Sequence, residues 1–160
     1  MRGLWLAASV AFLLDQWSKF FVFGMFSRQA VVQIDVFPPL LVFRKGMNTG
    51  VNFGLFADSS DGQRWFLVAL SLVLCAALLV WAWRGFQRRI EFISAGLIIG
   101  GATGNAFDRL IFPGVRDFLN MSCCGIDNPY VFNLADVFIF AGAIGLVIFG
   151  SDKKHTKKPS

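Results

Sequence analysis

The feature that most constrains this chain is the apolar run at residues 65–83, which contains no charged side chain. A helix needs roughly 20 largely apolar residues to cross a bilayer, and this run has that length. Apolar residues make up 56% of the chain and charged residues 16%, against about 45–50% and about 25% in soluble domains. Similar runs occur at residues 4–23, 90–107 and 131–150. The sequence therefore predicts an all-α polytopic membrane protein with four transmembrane helices.

The segment between the first two predicted helices has a different pattern. Residues 30–37 and 40–43 are rich in β-forming side chains and are separated by Pro38 and Pro39, which is typical of short strands bounded by a turn. We therefore predict a small extracytoplasmic β-rich segment here. A length of 160 residues suits one domain, so we predict a single membrane domain over residues 1–160 that ends in a basic tail at residues 151–160.

The distribution of Lys and Arg predicts the orientation, because cytoplasmic loops carry an excess of both. Four helices place both termini on one side. That side and the loop after the second helix hold eight basic residues against Glu91 and Asp152, whereas the opposite side holds six basic and six acidic residues. The eight are Arg2, Arg84, Arg88, Arg89, Lys153, Lys154, Lys157 and Lys158. Both termini are therefore expected in the cytoplasm.

Polar residues interrupt two of the predicted helices. A charged side chain at the centre of a membrane helix costs roughly 2.5–3.5 kcal/mol and is usually paired or functional. Asp15 and Lys19 are four residues apart, so they lie on one helix face and can pair. Asn105 and Asp108 also share a face, and Arg109 offers a planar guanidinium for a backbone carbonyl or a carboxylate. From the residues alone, we favour structural roles for both clusters.

A third group contains Asp117 and Asp136, with Arg116 and Asn133 beside them. Asp117 lies in an apolar stretch, and Asp136 is near the beginning of the fourth predicted helix. Two carboxylates in a poorly solvated site titrate apart, so that one holds a proton while the other acts as a base. This is the aspartic protease arrangement. The eighteen intervening residues fix no distance between the two carboxylates, so the spacing leaves the pairing open.

Other chemistries lack the residues that they need. The one histidine, His155, lies in the basic tail, which argues against a Ser–His–Asp triad and a histidine metal site. Cys75, Cys123 and Cys124 lack the spacing of a zinc site. The basic residues form no face with interleaved aromatics, which argues against nucleic acid binding. The glycine-rich run at residues 100–104 follows no predicted strand, so it is not a dinucleotide site. We predict no metal and no cofactor.

Taken in order, the polar clusters resemble the motifs of the lipoprotein signal peptidase (signal peptidase II) family. The resemblance covers nearly the whole chain. Its five motifs are DQWSK at residues 15–19, NTGVNFG at 48–54, GGATGNAFDR at 100–109, VRDF at 115–118 and FNLAD at 132–136. Each motif alone is weak, but five in this order on a four-helix scaffold make the resemblance specific.

The resemblance implies a multi-pass endopeptidase of the bacterial inner membrane, active at the periplasmic face. Its expected partners are membrane lipid and prolipoproteins, which it would cleave before a diacylglyceryl-modified cysteine. Asp117 and Asp136 match the family's catalytic aspartates, which activate water and protonate the leaving amine. Positions that match residues lining or supporting the substrate site are Asn48, Gly50, Asn105, Arg109 and Asn133. Asp15, Lys19 and Asp108 match positions that we interpret as structural.

Three questions stay open at the level of sequence. Val51 and Asn52 depart from the small residues that the family more often has there, which leaves the contacts of the outer segment undefined. A small transporter or channel subunit, with Asp15, Lys19, Asp117 and Asp136 lining a polar path, is the alternative function. A membrane assembly factor that docks through its glycine-rich third helix is a further reading. The oligomeric state is not predicted.

Overall fold

The computed structural model describes residues 1–50, 61–123, 125 and 128–150, which form four helices and three strands. Val51 and Asn52 of the second motif, Cys124 and the tail at residues 151–160 lie outside the described residues. The elements in chain order are α1 Arg2–Gln29, β1 Gln33–Phe37, β2 Leu41–Asn48, α2 Asp61–Gly85, α3 Arg89–Ile111, β3 Val115–Asn120 and α4 Leu134–Phe149.

Among the described residues, α1, α2 and α3 are long and apolar enough to cross a membrane. They have 28, 25 and 23 residues. α4 has 16 residues, a length of roughly 24 Å at about 1.5 Å per residue, whereas the hydrocarbon core is about 30 Å thick. Three of the four predicted membrane helices therefore meet the length criterion, and a fourth crossing by α4 stays a prediction.

The helix ends differ from the apolar runs because hydrogen bonding, and not hydropathy, ends a helix. α1 continues past the run at residues 4–23 until Ala30, where the backbone turns left-handed with a φ of 53°. α4 begins at Leu134 and not at residue 131, because Asn133 is extended and its side chain accepts a hydrogen bond from the Asp136 backbone N–H. This N-cap satisfies one of the free donors at the helix start.

α3 is the central helix, since α1, α2 and α4 all pack against it. Its glycines allow the close approach that the sequence predicted. A Cβ atom added at Gly100 would overlap the Ala8 carbonyl oxygen of α1, and one added at Gly101 would come within 2.5 Å of the Ala135 carbonyl oxygen of α4. Small residues thus let the backbones of α1 and α4 contact neighbouring faces of α3, as is common in membrane bundles.

The three strands form one antiparallel sheet in the order β1–β2–β3. The predicted β-rich segment between α1 and α2 supplies β1 and β2, but the prediction was incomplete because β3 comes from the connection between α3 and α4. Gly46 pairs with Asp117 and Asn48 pairs with Val115. Opposite residues share a face and the side-chain period is two, so Asn48 and Asp117 lie on the same face of the sheet.

A small apolar core joins the sheet to α1. Val22, Phe26 and Phe118 are buried together. The rings of Phe43 and Phe118 meet edge to face with their centroids 5.6 Å apart, a favourable arrangement for an aromatic pair. The core holds β3 beside the C-terminal half of α1, next to the C-terminal end of α3 and the N-terminal end of α4.

Candidate active site

Asn133 links the two aspartates that the sequence singled out. Its Nδ2 donates to Asp117 Oδ1 at 2.6 Å. Its backbone N–H donates to Asp136 Oδ2 at 3.1 Å, and its Oδ1 accepts from the Asp136 backbone N–H at 3.0 Å. The last two bonds form a capping box at the start of α4, with Asp in the position that Glu or Gln usually takes. One residue therefore orients both carboxylates although they come from separate elements.

The pair lies in a poorly solvated environment. Asp117 is 3% exposed and Asp136 is 7% exposed. Burial, and secondarily the negative charge of Asp136, raises the pKa of Asp117 from 3.8 to about 7. Hydrogen bonds from Asn133 and Asn48 and the charge of Lys19 oppose this rise in pKa. The raised pKa of Asp117 therefore allows this residue to hold or release a proton near neutral pH, which suits proton transfer in either direction.

Asn105 connects the pair to a buried cation. Its Nδ2 donates to Asp136 Oδ1 at 3.0 Å, and its Oδ1 accepts from Asn133 Nδ2 and from Lys19 Nζ, each at 3.1 Å. Asn105 thus fixes the second oxygen of Asp136 and transmits the position of α1 to the site. As the sequence predicted, Asn105 and Asp108 face the same way, since Lys19 contacts both.

Arg109 holds the chain that follows β2. Its guanidinium donates to the Gly50 carbonyl at 2.7 Å and to the Asn105 carbonyl at 3.4 Å. Of the two partners expected for this residue, a backbone carbonyl or a carboxylate, it hydrogen-bonds to carbonyls. The charge of Arg109 also acts on both Asp117 and Asp136. The Gly50 backbone N–H in turn donates to Asn48 Oδ1 at 3.1 Å, so this turn is held from two directions.

Asp15 and Lys19 form the ion pair that the sequence predicted, with Nζ and Oδ2 2.8 Å apart and both side chains fully buried. Lys19 Nζ also lies 3.2 Å from Asp108 Oδ2. Asp15 Oδ1 accepts from the Ala135 backbone N–H at 2.9 Å. The residue next to Asp136 is therefore tied to α1, an arrangement that fits the structural interpretation of Asp15.

An apolar cavity of about 570 Å³ opens beside Asp136. One wall is a stripe on α4 formed by Val137, Phe140 and Ile144, at helical spacing, and the polar side chain of Asn48 also lines the cavity. The cavity therefore combines a large apolar volume with one carboxylate, which suits an apolar ligand presented to a reactive group. In the part of the chain that the structure describes, no cluster of three or more His, Cys, Asp or Glu could hold a metal.

The chain is similar to known proteins over nearly its whole length. The family model for signal peptidase (SPase) II matches residues 7–151. A lipoprotein signal peptidase of Aeromonas hydrophila is 40% identical over 164 residues, which cover 99% of this chain and 95% of that protein. A lipoprotein signal peptidase of Beijerinckia indica is 37% identical over 157 residues, which cover 96% of this chain and 92% of that protein. The chain belongs to the signal peptidase II family.

Signal peptidase II proteins are aspartic-type peptidases, so this chain is a hydrolase of that type. A solved structure described as a bacterial membrane enzyme has the same fold, with a TM-score of 0.77 and 24% identity over 96% of this chain and 93% of that one. The expected mostly helical membrane architecture with a small sheet is thereby confirmed.

The signal peptidase II fold gathers every predicted site residue into one hydrogen-bonded and ion-paired network at the sheet end of the bundle. They are Asp117, Asp136, Asn48, Gly50, Asn105, Arg109, Asn133, Asp15, Lys19 and Asp108. Their individual roles stay predictions. Two members, Gln16 and Arg116, were not among the predicted site residues. Gln16 Nε2 donates to Asp15 and Asp108. An amide side chain inside an apolar helix indicates a hydrogen bond to a neighbouring helix, so Gln16 could have been predicted from the sequence.

Proposed function

We propose that this signal peptidase II removes signal peptides from lipid-modified prolipoproteins by cleaving before the diacylglyceryl-cysteine. The relatives are lipoprotein signal peptidases. The single observation that carries the proposal is the buried pair of Asp117 and Asp136, which Asn133 joins and of which Asp136 lines an apolar cavity. A pair of carboxylates that shares one proton is what peptide hydrolysis by this class requires.

In the proposed reaction, the carboxylate that lacks a proton takes one from a water molecule. The resulting hydroxide attacks the scissile carbonyl, and the protonated carboxyl donates its proton to the leaving amine. The raised pKa of Asp117, about 7, lets this residue carry a proton near neutral pH. Asn133 and Asn105 hold the carboxylates during the transfer, since both amides already occupy carboxylate oxygens. No metal or cofactor takes part in the proposed mechanism.

The apolar cavity beside Asp136 supports a lipid-linked and apolar substrate. Val137, Phe140 and Ile144 are exposed and line a volume of about 570 Å³. A signal peptide and a diacylglyceryl group are both apolar, and burial against this wall stabilises them at roughly 25 cal/mol per Å². Asn48, Gly50 and Arg109 are proposed to support the backbone near the scissile bond.

We further propose that residues 1–160 form one inner-membrane domain with four crossings and both termini in the cytoplasm. The excess of Lys and Arg near the termini supports this orientation. It would put the sheet and the aspartates at the periplasmic face. The alternative of a transporter requires carboxylates spread through the depth of the membrane. Here the carboxylates gather where α3 ends and α4 begins, and they are Asp15, Asp108, Asp117 and Asp136.

The test is cleavage of a diacylglyceryl-modified prolipoprotein by the purified protein in detergent. We expect release of the signal peptide, detected by mass spectrometry, with the new N-terminus at the modified cysteine. The matched control is the same prolipoprotein without the lipid. Failure to cleave the modified substrate, by protein shown to be folded, would overturn the proposed function.

A further inference from the structure

Arg116 precedes Asp117 in β3, and its side chain points to the opposite face of the strand. There it meets Asp108 at the C-terminal end of α3. Arg116 Nη2 donates to Asp108 Oδ1 at 2.8 Å, Nε donates to Oδ2 at 3.4 Å, and the Arg116 backbone N–H donates to Oδ2 at 2.9 Å. One carboxylate thus binds both the side chain and the backbone of the residue next to Asp117.

The guanidinium of Arg116 also contacts the two neighbouring helices. Its central carbon lies 4.4 Å from the centroid of the Phe112 ring and 5.9 Å from that of Phe23, and Nη2 donates to Gln16 Oε1 at 3.2 Å. The side chain is 12% exposed. A planar, always charged group can hydrogen-bond in its plane and stack on its faces at once. Arg116 therefore joins β3 to α1 and α3.

The ladder between β2 and β3 is irregular next to Asp117. Leu119 pairs with Phe43 and Asp117 pairs with Gly46, so three steps on β2 face two on β3. Such a bulge interrupts the regular hydrogen bonds of a strand pair. Beyond Asp117, the backbone N–H groups of Phe118 and Leu119 both donate to the Phe132 carbonyl. On the near side of Asp117, β3 pairs with Met47 and Asn48 of β2, and the contact between Arg116 and Asp108 ties it to α3.

We infer that Arg116 is a positioning residue that sets the placement of the Asp117 carboxylate by fixing β3 to the end of α3 through Asp108. This inference rests on the proposed function, in which Asp117 and Asp136 act on the same scissile bond. Arg116 itself touches neither carboxylate in the described hydrogen bonds, so its effect is transmitted through the strand. Small displacements of a reacting group lower the rate of a reaction strongly.

The primary experiment compares Arg116→Gln, Arg116→Lys and wild type in cleavage of the lipid-modified prolipoprotein in detergent. A displacement of well under 1 Å predicts a kcat about tenfold lower for Arg116→Gln with an unchanged KM. Lys keeps the charge but loses the planar group, so kcat of Arg116→Lys should fall between the two. Arg64→Gln is the matched control, since it removes an arginine paired with Asp61 on α2 and should leave kcat unchanged.

The amount of folded enzyme is measured by thermal unfolding and by the monodisperse fraction in size-exclusion chromatography. Each kcat is then calculated for the folded protein alone. A purely structural role would lower the amount of folded protein and leave kcat and KM of the remainder unchanged, and that result would overturn the inference. If Arg116→Gln yields no folded protein, Arg116→Lys decides, and a wild-type kcat for that variant would refute the positioning role.

A double-mutant cycle with Asp108→Asn tests the route of the effect. If Arg116 acts through Asp108, the double variant should be scarcely slower than the slower single variant, because Asp108→Asn already weakens the contact through which Arg116 acts. Rate losses that multiply would overturn this route. If the proposed function itself is wrong, the wild-type protein will leave the prolipoprotein uncut. That result differs from failure of the positioning role, in which wild type and the Arg116 variants cleave at the same rate.

Discussion

α2 and α3 are consecutive helices of 25 and 23 residues, but they bury different kinds of residues. α2 packs against α3 and leaves most of its large apolar side chains exposed, among them Trp65, Phe66, Leu72, Val73, Leu74 and Trp83. α3 buries small residues along its length and a polar group at its C-terminal end, namely Gly96, Gly100, Gly104, Asn105, Asp108 and Arg109.

The difference follows from the solvent. Lipid is as apolar as a leucine side chain, so an apolar face indicates only that a helix lies in the membrane. A buried polar or small side chain reports a specific neighbour, because a charge inside the membrane needs a partner and a glycine allows a close backbone contact. The sequence of α2 therefore indicates only a membrane helix, whereas the buried small and polar residues of α3 indicate which elements pack against it and where the polar site lies.

The largest expected difference in turnover is between a substitution in the polar network at the end of α3 and one on the exposed surface of α2. Asp136→Asn keeps the size of the side chain and removes the titratable group, so turnover should fall about 1,000-fold or more. Leu72→Ala on the exposed surface of α2 is the control and should keep its turnover. Both are measured as cleavage of the lipid-modified prolipoprotein per folded enzyme. Near-normal turnover of Asp136→Asn would show that Asp136 is not catalytic.

The second effect concerns stability and not turnover. Asp15→Asn removes the fully buried ion pair with Lys19, and breaking a buried pair lowers the free energy of unfolding by about 3 kcal/mol. We expect less folded protein in detergent, counted by size-exclusion chromatography, and near-normal turnover of what remains. A folded but inactive Asp15→Asn variant would contradict this prediction and would indicate a catalytic role for Asp15 on α1.

The third effect is a pH dependence of stability. In the folded protein the pKa of Asp117 is about 7, against 3.8 ordinarily, so between about pH 4 and pH 7 the unfolded chain loses a proton that the folded one keeps. Stability therefore falls as the pH rises through this window. Asp117→Asn cannot ionise, so its stability relative to wild type should be higher at pH 8 than at pH 4 by about 2 to 4 kcal/mol. Thermal unfolding at pH 4 and pH 8 measures this, and an equal difference at both values would contradict it.

The smallest effect compares the same substitution on the two helices. Gly100→Ala would push a methyl group into the Ala8 carbonyl, whereas Gly62→Ala on α2 meets nothing within 4 Å. Overpacking costs about 1–3 kcal/mol, and replacing Gly by Ala in an open helix stabilises it by up to about 1 kcal/mol. Unfolding temperatures in detergent should therefore shift in opposite directions. A shift in the same direction would show that α3 does not need its glycines.

The sequence predicted the membrane helices and the polar residues better than their arrangement. The uncharged run at residues 65–83 lies entirely within α2, and Asp15 and Lys19 pair as their spacing on a helix predicted. These features are local, so they can be derived from helical periodicity alone.

Features that depend on distant parts of the chain were missed. β3 has the sequence VRDFLN, in which Arg and Asp obscure the alternation that marks a strand, and the strand is stabilised by pairing with β2. The eighteen residues between Asp117 and Asp136 could not predict a link through Asn133. The Asn and Asp three residues apart at the start of α4 were a readable capping signal, and it would have placed the helix start at Leu134.

The central claim is that Asp117 and Asp136 act as one unit, and a kinetic double-mutant cycle tests it most directly. Turnover of the lipid-modified prolipoprotein is measured for wild type, Asp117→Asn, Asp136→Asn and the double variant, each per folded enzyme. Residues that act together are strongly non-additive, so the double variant should be scarcely slower than either single variant. Independent losses that multiply in the double variant, or a single variant with near-normal turnover, would contradict the account.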